Sequence, residues 1–336
     1  MKNDGHKTRP ASKAAVALGV KASQGLRTGV ILSAMTMVLL TAIQEPVGWS
    51  GWAWVALTPW VVAAVRARHG GRAAWVSFSA GVCYYLWNLN WLWPVTGMGM
   101  LGLCLYLALY FPLCGYVLRR VYLYRRWPFT LVLPVVWVGQ EYLRAVVMTG
   151  FAWFFMGHSQ HEHEELIQIC DLFGVYGLTF LIAMVNGLFC DLLLRPLTRQ
   201  PRRGGVRQFW TLRLAVITLG CLAAAWMYGR NRFREGQETM SRGPLVAVVQ
   251  DRVPQYVKME NESALDIFDR HMRLSEEALE AEVKPLLVVW PETMAGTLNK
   301  QFLGRAEPSE RFERLRWWAG RQNDERLALE RIAAGR

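Results

Sequence analysis

Long hydrophobic runs separated by short polar segments make up the first two thirds of this chain. A helix needs about 20 mainly apolar residues to cross a hydrocarbon core of roughly 30 Å. Seven runs approach or reach that length, and the first two are short. They cover residues 26–43, 49–65, 73–93, 98–118, 129–149, 166–194 and 212–228. The pattern predicts a polytopic membrane domain of about seven helices over residues 26–229.

Basic residues alternate between the loops that join these runs. Residues 1–25 and the loops after the second, fourth and sixth runs are rich in Lys and Arg. The loops at 44–48, 94–97 and 150–165 contain neither. Because basic loops stay on the cytoplasmic side, residues 1–25 are predicted to be a cytoplasmic tail. An odd number of spans then places residues 230–336 on the outer, periplasmic face of a bacterial inner membrane.

The net positive charge of the chain lies entirely in its membrane part. Residues 1–229 hold 20 Lys and Arg against 8 Asp and Glu, whereas residues 230–336 hold 18 of each kind. A pI near 9.7 is typical of nucleic-acid-binding proteins. Here the basic residues sit between apolar runs, which favours membrane topology, so no nucleic-acid partner is expected. Runs of this length also disfavour a soluble helical protein.

The segment after the last run has the pattern of an α/β domain. After a linker at 230–243, apolar residues 245–249 predict a strand, residues from Asn261 or Ser263 to about 282 predict a helix, and residues 286–289 predict a second strand. Such a unit normally pairs its strands in parallel. A further helix is predicted around 309–332. Two strands are too few to close a sheet, so the domain over 244–336 is expected to be partial.

A carboxylate follows the second predicted strand directly, in the sequence Trp290-Pro291-Glu292-Thr293. Proline ends a central strand, and α/β folds usually place their chemistry at the carboxyl ends of strands. Glu292 is therefore a candidate catalytic group. The alternative is a glutamate that caps a turn or pairs with a surface Arg, as most glutamates are solvated.

Several short motifs together resemble the apolipoprotein N-acyltransferase family, over roughly residues 26–300. Two of them lie in the α/β segment: VAVVQ at 246–250 followed by VPQ at 253–255, and VVWPET at 288–293. The others lie in the membrane part: NW at 90–91, LR at 143–144 with TGFAW at 149–153, GHSQ at 157–160, and DLFGVYG at 171–177. No single motif is decisive, but their order and the predicted topology agree.

The resemblance implies a fold class and an activity. The fold is a polytopic α-helical membrane domain followed by the start of a nitrilase-like α/β (αββα sandwich) domain, incomplete in this chain. The implied activity transfers an acyl chain from a phospholipid to the N-terminal amine of diacylglyceryl-cysteine lipoproteins. Glu292 matches the family's general base, while Gln255, Met259 and Arg144 match substrate-binding positions. Phospholipid, lipoprotein and membrane are the implied partners, and no cofactor is expected.

The sequence departs from the family in its catalytic residues. The family places a Lys and then a Cys well downstream of the Glu. Here no Cys follows Glu292, and Lys300, the only Lys after it, lies too close. Met259 also replaces a family Trp. The expectation is therefore a C-terminally truncated member, with an inactive or split relative that binds lipid or lipoprotein as the alternative. A transporter is disfavoured because no internal repeats are seen.

Two other polar groups stand out in the membrane part. Glu141 and Arg144 share a helix face, since they are three residues apart. Charges within a membrane are usually functional or paired, so they either contact a phospholipid head group or the loops of the outer domain, or satisfy each other. His161 and His163 form a weak metal-binding spacing, and no metal site is expected. The six cysteines form no CxxC pair.

Overall fold

The structure, a computed structural model, describes residues 25–194, 204–251 and 264–291. The predicted site residues Gln255, Met259 and Glu292, and the helix predicted around 309–332, lie outside these ranges. The chain divides into two units, Met1–Met240 and Ser241–Arg336.

Among its described residues, the regular elements of the first unit are helices. Short 3-10 or π-helical turns occur at Ser50–Trp54, Asn90–Leu92, Val121–Arg125, Val147–Thr149 and Met156–Gln160. Its helices are α1 (Leu26–Ala42), α2 (Thr58–Arg66), α3 (Gly70–Asn88), α4 (Trp93–Ala108), α5 (Tyr110–Arg120), α6 (Phe129–Val146), α7 (Glu164–Ile167), α8 (Cys170–Leu194) and α9 (Gly204–Thr239).

Four helical segments are long and apolar enough to cross a membrane. They are Asn90–Arg125, Phe129–Thr149, Cys170–Leu194 and Thr211–Thr239, and α1 is a shorter apolar helix. These segments fit a polytopic membrane domain. The second predicted run, 49–65, is not one helix, because a turn at Ser50–Trp54 precedes the nine-residue α2. Pro59 near the start of α2 suits a helix beginning rather than a helix interior.

Aromatic side chains form the centre of the first unit. Trp60 lies edge-on to Phe111 and Trp137, with ring centroids 5.6 and 5.9 Å apart. The Trp60 indole N–H donates to Ser77 Oγ at 2.9 Å, so burial leaves that donor bonded. Edge-to-face rings and a bonded indole are a favourable way to fill a core with large side chains. This cluster joins α2, α5 and α6.

Polar side chains of α8 hold the starts of two other helices. Asp191 accepts hydrogen bonds from the backbone N–H groups of Phe129 and Thr130, both at 3.0 Å. Asn186 accepts from the N–H of Leu57 at 2.9 Å and donates to the carbonyl of Ala53 at 2.9 Å. The first N–H groups of a helix have no partner within it, so these contacts satisfy donors that burial would otherwise leave unpaired.

Helices α6 and α8 approach closely at Gly187. A Cβ atom placed there would lie 2.3 Å from the carbonyl oxygen of Phe129. Small residues of this kind allow membrane helices to pack backbone against backbone. Because the obstacle is backbone, it cannot move aside as a flexible side chain would.

We expect Gly187→Ala to destabilise the first unit by about 1–3 kcal/mol, since the extra methyl group forces α6 and α8 apart. Gly139→Ala is the matched control, because a Cβ at Gly139 meets nothing within 4 Å. Alanine there removes a flexible helix-interior glycine and should be neutral or stabilising by up to about 1 kcal/mol. Thermal unfolding in detergent compares the two. Equal effects would contradict the close approach.

The second unit contains the predicted β–α–β pattern. Strands β1 (Val246–Val248) and β2 (Leu287–Val289) pair in parallel, and helix α10 (Ala264–Leu279) lies between them in sequence. The N–H of Leu286 donates to the Leu245 carbonyl at 2.8 Å, and the N–H of Val249 donates to the Val289 carbonyl at 2.9 Å. The parallel pairing predicted from the sequence is confirmed. A nitrilase-like sandwich is not shown, because the described residues contain two strands.

Candidate functional site

The carboxyl end of α6 carries two buried charged side chains. Glu141 is 0% and Arg144 is 2% exposed, and both face the segment that follows the helix. That segment folds back on α6, with the N–H of Phe151 donating to the Arg144 carbonyl at 2.7 Å. We call residues 147–160 the return loop. Its contacts with Glu141 and Arg144 define the candidate site.

Gly150 makes the sharp reversal of the return loop possible. Its φ is +85°, and a Cβ would lie 2.0 Å from the carbonyl oxygen of Ala145. Only glycine adopts such a backbone without penalty and leaves room for the carbonyl. Met148, Thr149 and Phe154 also have positive φ. Strain of this kind is maintained where surrounding contacts fix the backbone, often at functional sites.

Glu141 bonds one helix side chain and the return loop with the same oxygen. Its Oε1 accepts the Trp137 indole N–H at 3.1 Å and the backbone N–H of Met156 at 2.9 Å. Its Oε2 is buried and has no hydrogen-bond partner among the described residues. A buried carboxylate oxygen without a partner is costly, so this atom is available to a donor that enters the site.

Arg144 bonds a tyrosine of α3 and two carbonyls of the return loop. Its Nη1 donates to the Tyr85 hydroxyl, and its Nη2 donates to the carbonyls of Trp153 at 2.9 Å and Phe154 at 3.4 Å. The guanidinium carbon also lies 5.1 Å from the Phe155 ring centroid. Buried arginines of this type gain both cation–π and hydrogen-bonding energy.

Glu141 and Arg144 are not a mutually satisfied pair. No direct ion pair joins them in the described structure, and each bonds the return loop instead. The contacts observed are with the return loop, so contact with a phospholipid head group or with the loops of the outer domain stays a prediction. Because the two side chains fix both ends of 153–156, they determine the shape of this part of the return loop.

A small cavity adjoins these side chains. It has a volume of about 10 Å³ and is lined by Tyr85, Tyr110, Trp137, Arg144 and Met156, among others. That space is enough for about one water molecule. Any larger group therefore reaches Arg144 only if the return loop moves.

A much larger apolar groove lies between α8 and α9. Its volume is about 710 Å³, and Phe173, Phe180, Cys221 and Ala225 are among its lining residues. Near one end, the Tyr228 hydroxyl donates to Asp171 at 2.8 Å. Both helices belong to candidate membrane spans, and most of the residues that line the groove are apolar.

The end of the return loop carries polar residues of the GHSQ motif. Gln160 Nε2 donates to the carbonyl of Ser50 at 2.9 Å, which ties the loop to the turn before α2. The ring of His158 stacks on Phe155 at 5.2 Å between centroids. Partial burial, and then the positive charge of Arg144, lower the pKa of His158 below its usual value. His158 is therefore favoured in its neutral form at pH 7.

His161 and His163 contact different residues. His161 lies 3.6 Å from Glu45, whereas His163 hydrogen-bonds Ser50 Oγ at 3.1 Å. The side-chain ligand atoms of Glu45, His161 and Glu162 lie within 4.8 Å of one another. All three side chains are exposed, and exposed acidic groups of this kind are common without an ion.

In the second unit, the end of β2 is fixed by a buried helix face. The Trp290 indole N–H donates to Ser275 Oγ at 2.9 Å, and the Trp290 ring lies 5.4 Å from the ring of His271. His271 Nδ1 contacts the carbonyl of Ile267 at 2.8 Å and is fully buried. Residues 267, 271 and 275 repeat every four positions, which is the only signal in the sequence for this support. They anchor the strand two residues before Glu292.

Of the four predicted site residues, Arg144 alone lies in the described part of the structure, where it is buried in the first unit. Sequence reasoning missed the partners of Arg144 and Glu141, above all Tyr85, Trp137 and the return-loop backbone. Nothing in the local sequence marks these residues as neighbours, because Tyr85 is 59 positions away from Arg144.

Comparisons with known proteins agree with the motifs. Residues 37–188 match the family model described as the apolipoprotein N-acyltransferase N-terminal domain. The chain is 31% identical over 283 residues to the apolipoprotein N-acyltransferase of Geobacter metallireducens, covering 80% of this chain and 52% of that protein. It is 30% identical to the one from Shewanella oneidensis, over 65% of this chain and 40% of the relative. The enzyme of Pasteurella multocida is 26% identical over 76% of this chain and 48% of the relative. The chain thus spans about half the length of the curated relatives it matches.

Proposed function

We propose that this chain, which belongs to the apolipoprotein N-acyltransferase family, takes part in adding a fatty acyl chain to the N-terminal amine of bacterial lipoproteins. The observation that carries the proposal is the similarity to relatives of that name over most of the chain. The four apolar helices support a multi-pass membrane protein, where both substrates of such a reaction reside.

The reaction has two steps of acyl transfer. A cysteine thiolate attacks the ester carbonyl of a phospholipid, a thioester forms, and the lysophospholipid leaves. The free amine of a diacylglyceryl-cysteine lipoprotein then attacks the thioester, so an amide forms and the thiol is released. Nucleophilic catalysis of this kind needs an activated nucleophile, a base and groups that stabilise the oxyanion.

Glu292 is the proposed general base. It takes the thiol proton and delivers it to the departing lysophospholipid, then takes a proton from the amine and returns it to the thiolate. Its position supports this role, since it follows Trp290 and Pro291 at the end of β2. The contacts of Trp290 with Ser275 and His271 hold the backbone just before it. A base must be positioned within hydrogen-bond reach of the proton it moves.

Gln255, Met259 and Arg144 are the proposed substrate-binding residues. Gln255 and Met259 follow β1, on the segment that the family resemblance assigns to substrate contact. Arg144 is occupied by Tyr85 and the return loop in the structure. We therefore propose that Arg144 acts on a substrate through the position of the return loop, and contacts it directly only when the loop opens.

The nucleophile and the lysine are the elements that these 336 residues do not offer. Cys221 is the last cysteine in the sequence, and it lines the apolar groove of the first unit. The proposal therefore takes both groups from outside this sequence. The alternative is a non-catalytic or split relative that binds lipid or lipoprotein, and the 710 Å³ groove supports it.

The proposed location is the bacterial inner membrane, with residues 1–25 in the cytoplasm and residues 230–336 in the periplasm. The alternation of basic and non-basic loops supports this orientation. The diacylglyceryl-modified amine is the acceptor and the membrane phospholipid is the donor in this arrangement.

The experiment is complementation in a bacterium depleted of its own N-acyltransferase. The native gene is expressed, the lipoproteins are digested, and the masses of their N-terminal peptides are measured by mass spectrometry. Triacylated N-termini support the enzyme. Diacylated N-termini, with the protein present in the membrane, overturn it. Diacyl lipoproteins that co-purify with the protein in that case identify the scaffold alternative.

A further inference from the structure

A second polar feature of the first unit lies far in sequence from Glu141 and Arg144. It is a pocket between α1, α2 and α3, at the end of these helices that carries Arg68 and Arg72. We call it the basic pocket. Its volume is about 30 Å³, which accommodates two or three water-sized groups.

The basic pocket is open because its walls are glycine and alanine. Gly29 lines it from α1 and Gly25 from just before that helix, while Ala63 and Ala64 line it from α2 and Ala67 from just after. A Cβ added to either glycine meets nothing within 4 Å, so the free space extends over both positions. Larger side chains there would fill the pocket without moving the backbone.

Three polar groups in the basic pocket lack protein partners. Arg68 and Arg72 are exposed and make no hydrogen bond or ion pair within the residues that the structure describes. The hydroxyl of Ser33 is buried, at 2% exposure for the residue, and has no hydrogen-bond partner there either. Buried hydroxyls are nearly always bonded, so an orphaned one indicates a missing acceptor.

The surrounding charges favour an anion. Arg119 donates to the carbonyls of Ala64 and Val65, at 3.3 and 2.9 Å, and so satisfies the negative end of α2. None of the described residues that line the pocket is acidic. Two unpaired guanidinium groups and a free hydroxyl are all donors, which phosphate oxygens accept well.

Apolar side chains beside the basic pocket favour a lipid over a free ion. Leu26 and Val30 on α1 and Trp75 on α3 are exposed, and Trp75 is 71% exposed. Apolar side chains of this kind at the end of a membrane helix contact the acyl and interfacial region of a bilayer. Basic pockets between membrane helices on the cytoplasmic side are a known form of anionic headgroup site.

We propose that the basic pocket binds the phosphate of an anionic phospholipid. Arg68 and Arg72 form ion pairs with the phosphate, and the hydroxyl of Ser33 donates a hydrogen bond to it. This lipid is bound at the end of the helices that carries the basic loops, and it is not the acyl donor. The proposal does not rest on the proposed function, because it uses none of the groups assigned to acyl transfer.

The test is phospholipid retention by the detergent-solubilised protein in native mass spectrometry. Phosphatidylglycerol and phosphatidylcholine are titrated separately. Two variants change the pocket: Arg68→Gln with Arg72→Gln, which removes the charge, and Gly29→Leu, which fills the space. Their controls are Arg125→Gln with Arg126→Gln, which removes equal charge from another basic loop, and Gly102→Leu, where a Cβ also meets nothing within 4 Å.

The wild-type protein should retain phosphatidylglycerol in preference to phosphatidylcholine, and both pocket variants should weaken that retention on the order of tenfold. The two controls should bind as the wild type does. Equal loss in the Arg125/Arg126 control would show general charge attraction and overturn the site. Displacement of phosphatidylglycerol by millimolar inorganic phosphate would overturn the lipid as the ligand. An unchanged melting temperature in phosphatidylcholine alone confirms that each variant is folded.

Discussion

Replacing Arg144 with leucine should lower the free energy of unfolding of the first unit by about 3–5 kcal/mol, the usual effect of breaking a buried polar network. The change removes the donors to Tyr85 and to the carbonyls of Trp153 and Phe154. Those carbonyls and the Tyr85 hydroxyl then lose a donor, while the carboxylate of Glu141 keeps its bonds to Trp137 and Met156. Each unsatisfied group adds a desolvation penalty of about 1–3 kcal/mol.

Three further variants separate the Arg144 network from simple loss of volume. Glu141→Gln keeps an oxygen that accepts from Trp137 and Met156, so it should cost less than Glu141→Leu. Arg144→Lys keeps the charge but has no planar fork to reach Tyr85 and the return loop at once, so an intermediate loss is expected. Denaturant unfolding in detergent measures all four. A stability of Arg144→Leu within about 0.5 kcal/mol of the wild type, as for ordinary surface changes, would contradict the network.

Glu292→Gln should reduce acyl transfer by about 10²–10⁴-fold in the protein produced from its native gene, because the amide cannot accept and return the proton. The expected loss lies in the rate constant rather than in substrate affinity, since glutamine preserves the size of the side chain. Both acyl transfer steps should slow, as the proposed mechanism uses the same carboxylate in each.

The matched control is Glu282→Gln, an exposed glutamate that precedes β2 in the same unit. It removes the same charge and should leave the rate unchanged. Acyl transfer is measured as conversion of a diacylglyceryl-cysteine lipopeptide, and the melting temperature confirms folding. Full activity in Glu292→Gln would remove this residue from the mechanism and leave the resemblance at 288–293 without a role.

Much of the fold could be predicted from the sequence because its signals are local. Long apolar runs and the alternation of strand, helix and strand are properties of neighbouring residues, and β1 and β2 pair in parallel as predicted. The break before α2 was missed, because apolar content continues across a turn that only Gly51 and Pro59 suggest. Hydropathy measures burial in lipid and does not distinguish a helix from an apolar turn.

The candidate site was predicted less well because its contacts are not local. The spacing of Glu141 and Arg144 indicated a shared helix face, which the structure shows. Their actual partners come from α3 and from a loop backbone with positive φ. Asp191 similarly satisfies the start of α6 from more than 60 positions away. Such contacts depend on how helices pack, which the sequence pattern leaves open.

Transfer of a labelled acyl chain is the most direct measurement of the proposed N-acylation of lipoproteins. The protein from the native gene is placed in nanodiscs that contain a phospholipid with a deuterated acyl chain, together with a diacylglyceryl-cysteine lipopeptide. We expect a lipopeptide heavier by one deuterated acyl group and an amount of lysophospholipid equal to that of the heavier lipopeptide. With Glu292→Gln we expect neither product. An unchanged lipopeptide mass, with the folded protein and both substrates present, would contradict it.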